Sequence, residues 1–309
     1  MVTRYSLLTA SGWYCPIVSA AGEAFETRSE RVKRAIPMRN NIMVCTHHKT
    51  GTVWMQSIFK DISEKLGVEF VNYWKDKGLN SLKKGNRKKI ILNYHSIFDM
   101  ELLSNLDDLR MMHVVRDPRD VLISAACYHE KASEGWLHIP REEFGGKTYQ
   151  EAILELKSLP EKISFEMNNS TYQTICDMVD WDYNRDDCIE VRYEDLFDDE
   201  LLIIFTRVFE FLGFEAHEIA YCRSAAVKYS LFGKMSKRKN SHIRSGSTKQ
   251  WKRHFSCELA REFCKRFPTA LGTLGYEDDD SWIENGAISS RNIFVNGLRS
   301  MVDLRRWTR

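Results

Sequence analysis

Residues 41–54 read NIMVCTHHKTGTVW. Asn41 to Cys45 is an apolar run of strand length, Thr46 to Thr52 is polar, and from there Val53, Met55, Ile58, Phe59, Ile62 and Leu66 recur at helical spacing until Gly67 stops the pattern. The stretch predicts a buried strand, a loop and a helix in succession. Such a loop offers an anion the unpaired N–H groups and positive dipole end of the helix it opens. Gly51 lets backbone come close and Lys49 adds a point charge, so the parts of a phosphate cradle are present. The same residues also satisfy a plain polar loop in which Thr50 or Thr52 caps the helix. Lys49 precedes the glycine, the reverse of the order in GxxxxGK[ST], which disfavours a kinase or ATPase built on that motif.

Working outward, strands are expected at Lys89–Asn93, ending at Tyr94 and His95, and at Arg110–Val115, ending at Arg116, Asp117 and Pro118. A helix is expected over Val121–His129, one or two more over 148–180, a strand at Cys188–Arg192 followed by Tyr193, and a helix over Leu201–Leu212 closing on Gly213. Strands alternating with helices make this an α/β chain with a central parallel sheet flanked by helices. In such open sheets the ligand crevice lies beyond the carboxyl ends of the strands, where each of these polar clusters falls.

Arg116 leaves a strand end and Ser124 lies two turns into the next helix, so both can face one phosphate, which the planar guanidinium grips through two oxygens. The plain alternative is a strand-to-helix turn with Pro118 near the helix start and its charges solvated. Lys234 to Arg253 is basic and contains Arg244, Ser245 and Gly246, either a loop closing over an anion or a solvated charge run. His95, at a strand end, is a candidate general base, with His47, His48 and His129 as rivals.

Taken together, these segments resemble the sulfotransferase family that uses 3′-phosphoadenosine 5′-phosphosulfate (PAPS), from about Asn41 to Tyr276. His47 to Trp54 is similar to its 5′-phosphosulfate loop, Arg116 to Ser124 to its 3′-phosphate motif, and Arg244-Ser245-Gly246 with Trp251 and Lys252 to its C-terminal nucleotide motif. The resemblance implies a P-loop-like three-layer fold, PAPS as donor and PAP as product, and no metal. It implies Lys49 at the phosphosulfate bridge, the amides of Thr50, Gly51, Thr52 and Val53 on the 5′-phosphate, and Arg116, Ser124, Arg244, Ser245 and Gly246 around the 3′-phosphate. Trp54, Phe232 and Met235 would wall the adenine, Tyr193 would bond its edge, and His95 would be the catalytic base. Asn93 and Tyr94 stand where many cytosolic members carry Lys-Thr, so the second cation of those members is missing from that position.

The composition fits a globular chain: 309 residues, 43% hydrophobic, 28% charged, net charge +2, with no bulk charge that would suit nucleic acid. The eight cysteines form no CxxC pair and read as thiols of a cytoplasmic protein. Leu7 to Ala21 is mildly apolar but interrupted by Gly12, Tyr14 and Pro16, and no run approaches the ~20 residues of a membrane span. The expected layout is an extension over 1–40, a sulfotransferase domain over 41–280 and an amphipathic tail over 281–309. From Arg291 to Arg309 that tail holds five arginines and one acid, a docked surface helix or a peripheral membrane contact through 285–309. The acceptor expected is a small molecule, sugar or lipid. Tyr73, Trp74, Tyr128, Trp136 and Phe144 are candidates to line its pocket.

Overall fold

The computed structural model describes residues 41–73, 89–98, 106–230 and 247–286. The expectations on the 1–40 extension, on Trp74, Phe232, Met235, Arg244, Ser245 and Gly246, and on the tail beyond residue 286 lie outside the described residues.

β1 (Asn41–Cys45) is buried throughout, and its period-2 alternation sorts side chains to two faces. Ile42 and Val44 join a cluster with Met55, Ile58, Phe59 and Ile62 of α1 (Thr52–Leu66), while Met43 and Cys45 join Ile91, Met111 and Trp181 on the opposite face. A strand covered on both sides reads as a continuous apolar run, and β1 does.

β2 (Glu69–Tyr73), β3 (Lys89–Asn93), β4 (Leu109–Val115) and β5 (Cys188–Arg192) complete a five-stranded sheet of order β2-β3-β1-β4-β5, with every pair parallel. The register sets Cys45 beside Asn93 on one side and His113 on the other, so the carboxyl ends lie along one edge. The chain leaves β1 toward one side of the sheet and β4 toward the other. That is the switch point where a crevice opens in such sheets.

Between β4 and β5 run α2 (Pro118–His129), α3 (Tyr149–Glu155), α4 (Leu159–Asn168) and α5 (Ser170–Val179). After β5 come α6 (Tyr193–Phe197), α7 (Ile203–Phe211), α8 (Ala216–Lys228), α9 (Trp251–His254), α10 (Cys257–Arg266), α11 (Ala270–Thr273) and α12 (Trp282–Gly286). β2 is the strand that the apolar pattern misses, because it is an edge strand that buries only Val71 and Tyr73 of its five residues. α2 starts at Pro118 rather than Val121: Asp117 caps it by accepting from Arg119 N at 3.0 Å, and a proline at the first helical position has its φ preset. Residues 148–180 divide into three helices, since Thr148 and Ser158 each begin a helix with a capping box and Asn169 separates α4 from α5.

The charges of Arg116-Asp117-Pro118-Arg119-Asp120 are buried, where a plain turn would leave them solvated. Arg119, 1% exposed, pairs with Asp117 at 2.8 Å and Glu277 at 2.7 Å. Its guanidinium lies 3.6 Å from the ring centre of Trp251 and 4.5 Å from that of Trp282. Asp120 accepts from Trp251 N at 2.9 Å, so two residues of α2's first turn fasten the 247–286 segment to the core. Replacing Arg119 with Met should strand Asp117 as a buried charge and cost about 3–5 kcal/mol in denaturant unfolding. Lys147→Met, which breaks the exposed Lys147–Glu155 pair, should cost under about 1 kcal/mol.

Candidate active site

The loops leaving β1, β3, β4 and β5 meet at the common edge. Thr46 N donates to Asn93 O at 2.9 Å, and the turn after β3 is pinned by Ser96 Oγ on Thr46 O (3.0 Å) and Asn93 Nδ2 on Ile97 O (2.9 Å). His95 is exposed in that turn. Desolvation holds its pKa below 6.5, opposed by the charges of Asp177 and Glu134.

In the β1–α1 loop the Thr50 hydroxyl accepts from His47 N at 2.8 Å and donates to His47 O at 3.0 Å, while Thr52 Oγ1 donates to His47 O at 3.1 Å. Lys49 (φ 67°) and Gly51 (φ 105°) are both left-handed. Only glycine suits the second position, where a Cβ would fall 3.1 Å from Tyr193 Cδ2. α1 then begins without a side-chain cap or an acidic residue in its first turn, so the dipole end and the amides that include Val53 are left for an anion.

Lys49 Nζ sits 3.5 Å from the ring centre of Tyr128, and burial together with the nearby Arg116 charge lowers its pKa to about 8. Arg116 Nη1 donates to the carbonyl of Lys49 at 3.0 Å, and its guanidinium lies 4.3 Å from the ring centre of Tyr193, the first residue of α6. Trp54 meets Tyr193 edge-on at 5.6 Å. Two buried N–H groups, Arg116 Nε and Trp54 Nε1, have no hydrogen-bond partner among the described residues. Ser124 is half-buried on α2. Of the aromatics expected to line an acceptor pocket, Trp136 and Phe144 pack on Tyr149, Tyr73 is buried against the sheet, and Tyr128 carries Lys49. Glu134 accepts from Tyr128 OH and Trp136 Nε1, both at 2.8 Å.

Two histidine chains lead away from the loop. His47 Nε2 lies 2.8 Å from His113 Nε2 on β4, and His113 Nδ1 lies 2.5 Å from Glu190 Oε2 on β5. Burial raises Glu190 to about 7 and lowers His113 to about 3, and it lowers His47 as well, so both histidines of this chain stay neutral. His48 Nε2 lies 3.1 Å from His129 Nε2 on α2, and His129 Nδ1 lies 2.6 Å from Glu166 Oε1 on α4. Sequence reasoning singled out the first histidines and His129 but missed His113, Glu190 and Glu166. Each missed residue meets its partner 37 to 77 positions away, beyond any local pattern.

Compared with known protein families, residues 39–275 match the sulfotransferase domain. The chain belongs to the sulfotransferase domain family. Among solved structures it is similar to the mouse sulfotransferase SULT7A1 complexed with PAP, at TM-score 0.52 and 14% identity over 80% of this chain and 87% of that one, a likeness of fold. Retinol dehydratase in complex with androsterone and inactive cofactor PAP gives 0.48 at 14% identity over 75% of this chain and 80% of that one. Retinol dehydratase with retinol and PAP gives 0.46 at 15% identity, over 76% and 82%. No curated protein matches the sequence. Among the described residues no helix is long and apolar enough to cross a membrane, and the seven described cysteines are free thiols.

Gly51→Ala should lower stability by about 1–3 kcal/mol, through its φ and the contact with Tyr193. Gly135→Ala, where an added Cβ meets nothing within 4 Å, should stay within about 0.5 kcal/mol in the same unfolding assay.

Proposed function

We propose that this chain transfers a sulfuryl group from PAPS to a hydroxyl or amine of a small-molecule, sugar or lipid acceptor, releasing PAP. The observation that carries the reading is the hydrogen bond from Arg116 to the Lys49 carbonyl beside the uncapped start of α1, which joins two cationic motifs into one anion site. The residues present fit the nucleotide: the buried N–H groups of Arg116 and Trp54 have no partner among the described residues, and α1 carries no acid in its first turn, while Thr50 N donates to His47 O at 3.1 Å and would have to turn to an anion. Lys49 and the amides of Thr50, Gly51, Thr52 and Val53 would hold the 5′-phosphosulfate, Arg116 and Ser124 the 3′-phosphate, and Trp54 and Tyr193 the adenine. Arg244, Ser245, Gly246, Phe232 and Met235 belong to this reading through the family resemblance alone.

The sulfuryl group passes in line from the phosphate oxygen to the acceptor oxygen or nitrogen, so catalysis is positioning plus charge stabilisation. His95 takes the acceptor's proton, and its lowered pKa keeps it neutral and receptive at pH 7. Lys49 offsets the charge that builds on the leaving phosphate.

Calorimetric titration should show PAP binding and ATP with Mg²⁺ binding far more weakly; the reverse order would sink the donor assignment. With labelled PAPS and a panel of phenols, sterols, sugars and lipids, His95→Ala should bind PAP within about threefold of wild type but turn over about a hundredfold or more slowly. Undiminished turnover would remove His95 as the base. In the parent enzyme kcat/KM should rise as pH climbs through the His95 pKa, below 6.5, and fall as Lys49 of the free enzyme loses its proton near pH 8.

A further inference from the structure

The two histidine chains differ at their outer ends. His47 and His113 are both fully buried, so the first chain has no opening to the cleft. His48 is half-buried, adjoins Lys49 in sequence, and lies against the Tyr128 ring on which Lys49 Nζ sits. Behind it His129, Glu166 and Thr171 are fully buried. Glu166 accepts on both oxygens, from His129 Nδ1 at 2.6 Å and from the Thr171 hydroxyl at 2.5 Å.

These contacts are all satisfied when Glu166 is the acceptor in both of its hydrogen bonds. With its Nδ1–H committed to Glu166, a neutral His129 offers a lone pair at Nε2, so His48 donates Nε2–H across the 3.1 Å contact and keeps a basic Nδ1. One more proton entering at His48 Nδ1 turns that outer nitrogen into a donor. The positive charge then spreads through the N–H···N contact toward the Glu166 carboxylate, which offsets it. The groups facing the pair are Lys49 on the loop, Tyr128 on α2 with its partner Glu134, His95 after β3, Glu166 on α4 and Tyr149 on α3. Burial, then the charges of His129, Lys49 and His95, disfavour a charged His48. An anion bound within a few Å acts in the opposite direction.

We propose that His48, positioned by His129 and Glu166, is a proton-coupled part of the anion site: it takes up one proton when the phosphosulfate of the donor binds and returns it to solvent when PAP leaves. The loop then meets the transferring group with two cations, Lys49 and His48, although Asn93 and Tyr94 supply none from the end of β3. This rests on the PAPS reading above.

The test needs no acceptor. PAP is titrated calorimetrically at pH 7 in buffers of different ionisation enthalpy, which counts protons taken up. Wild type should take up about one proton more per PAP than His48→Asn, and its Kd should weaken about tenfold more steeply per pH unit between 6.5 and 7.5. Glu166→Gln should lose the uptake and His95→Asn should keep it. Nitrogen-15 spectra of histidine-labelled wild type, with and without PAP, provide the measurement if Glu166→Gln does not fold: the His48 and His129 signals should shift together, by amounts that sum to one imidazolium over the pair. PAP binding with no uptake, or with uptake that survives His48→Asn, overturns the coupling and leaves the donor assignment standing. Absence of PAP binding overturns both.

Discussion

The hydrogen bond from Thr46 N to Asn93 O carries the β1–β3 ladder one residue beyond the strand and fixes the loop relative to the turn that holds His95. The site depends on that register. A parallel sheet brings side chains from distant parts of the sequence to one edge: Cys45, Asn93 and His113 stand abreast there, and β4 and β5 run two residues further, to Val115 and Arg192. A slip of one residue would turn Ile42 and Val44 onto the face now filled by Met43 and Cys45, so the two packed clusters enforce the register that the chemistry uses.

Charge at the start of α2 serves two purposes. Arg116 points to the loop and bonds the Lys49 carbonyl, whereas Arg119, three residues on, is consumed by Asp117, Glu277 and two indole rings. Asp117 N in turn donates to Glu194 Oε1 at 3.1 Å, and Tyr276 OH donates to Glu194 Oε2 at 2.9 Å. One turn of chain therefore orients the guanidinium that bonds the Lys49 carbonyl and fastens the 247–286 segment. Buried ions of this kind demand partners on every side, which makes the geometry of Arg116 well defined.

Much of this was legible in the chain. β1, β3 and most of β4 are buried and read as short apolar runs, whereas β5, the other edge strand, was legible from its apolar–charged alternation although it buries only Val191. Lys49, Gly51, Arg116, His95 and Tyr193 all fall at strand ends, where an α/β sheet places ligands. What stayed hidden was long-range. β2 alternates polar with apolar residues at an edge, and the burial of Arg119 and Asp120 depends on Trp251 and Trp282, more than a hundred residues away. Glu166 and Glu190 carry no local mark at all, because a carboxylate behind a histidine is defined by packing rather than spacing.

The aromatic seat of Lys49 has a consequence for its reactivity. An ammonium with a pKa near 8 is about one-tenth free amine at pH 7, against well under a hundredth for an ordinary lysine. The desolvation that strengthens its pull on a phosphate thus also leaves a standing population of nucleophile on the Tyr128 ring. That amine is open to acylation and carbamoylation. In the proposed site a bound nucleotide would protect it twice, by covering the nitrogen and by restoring its proton.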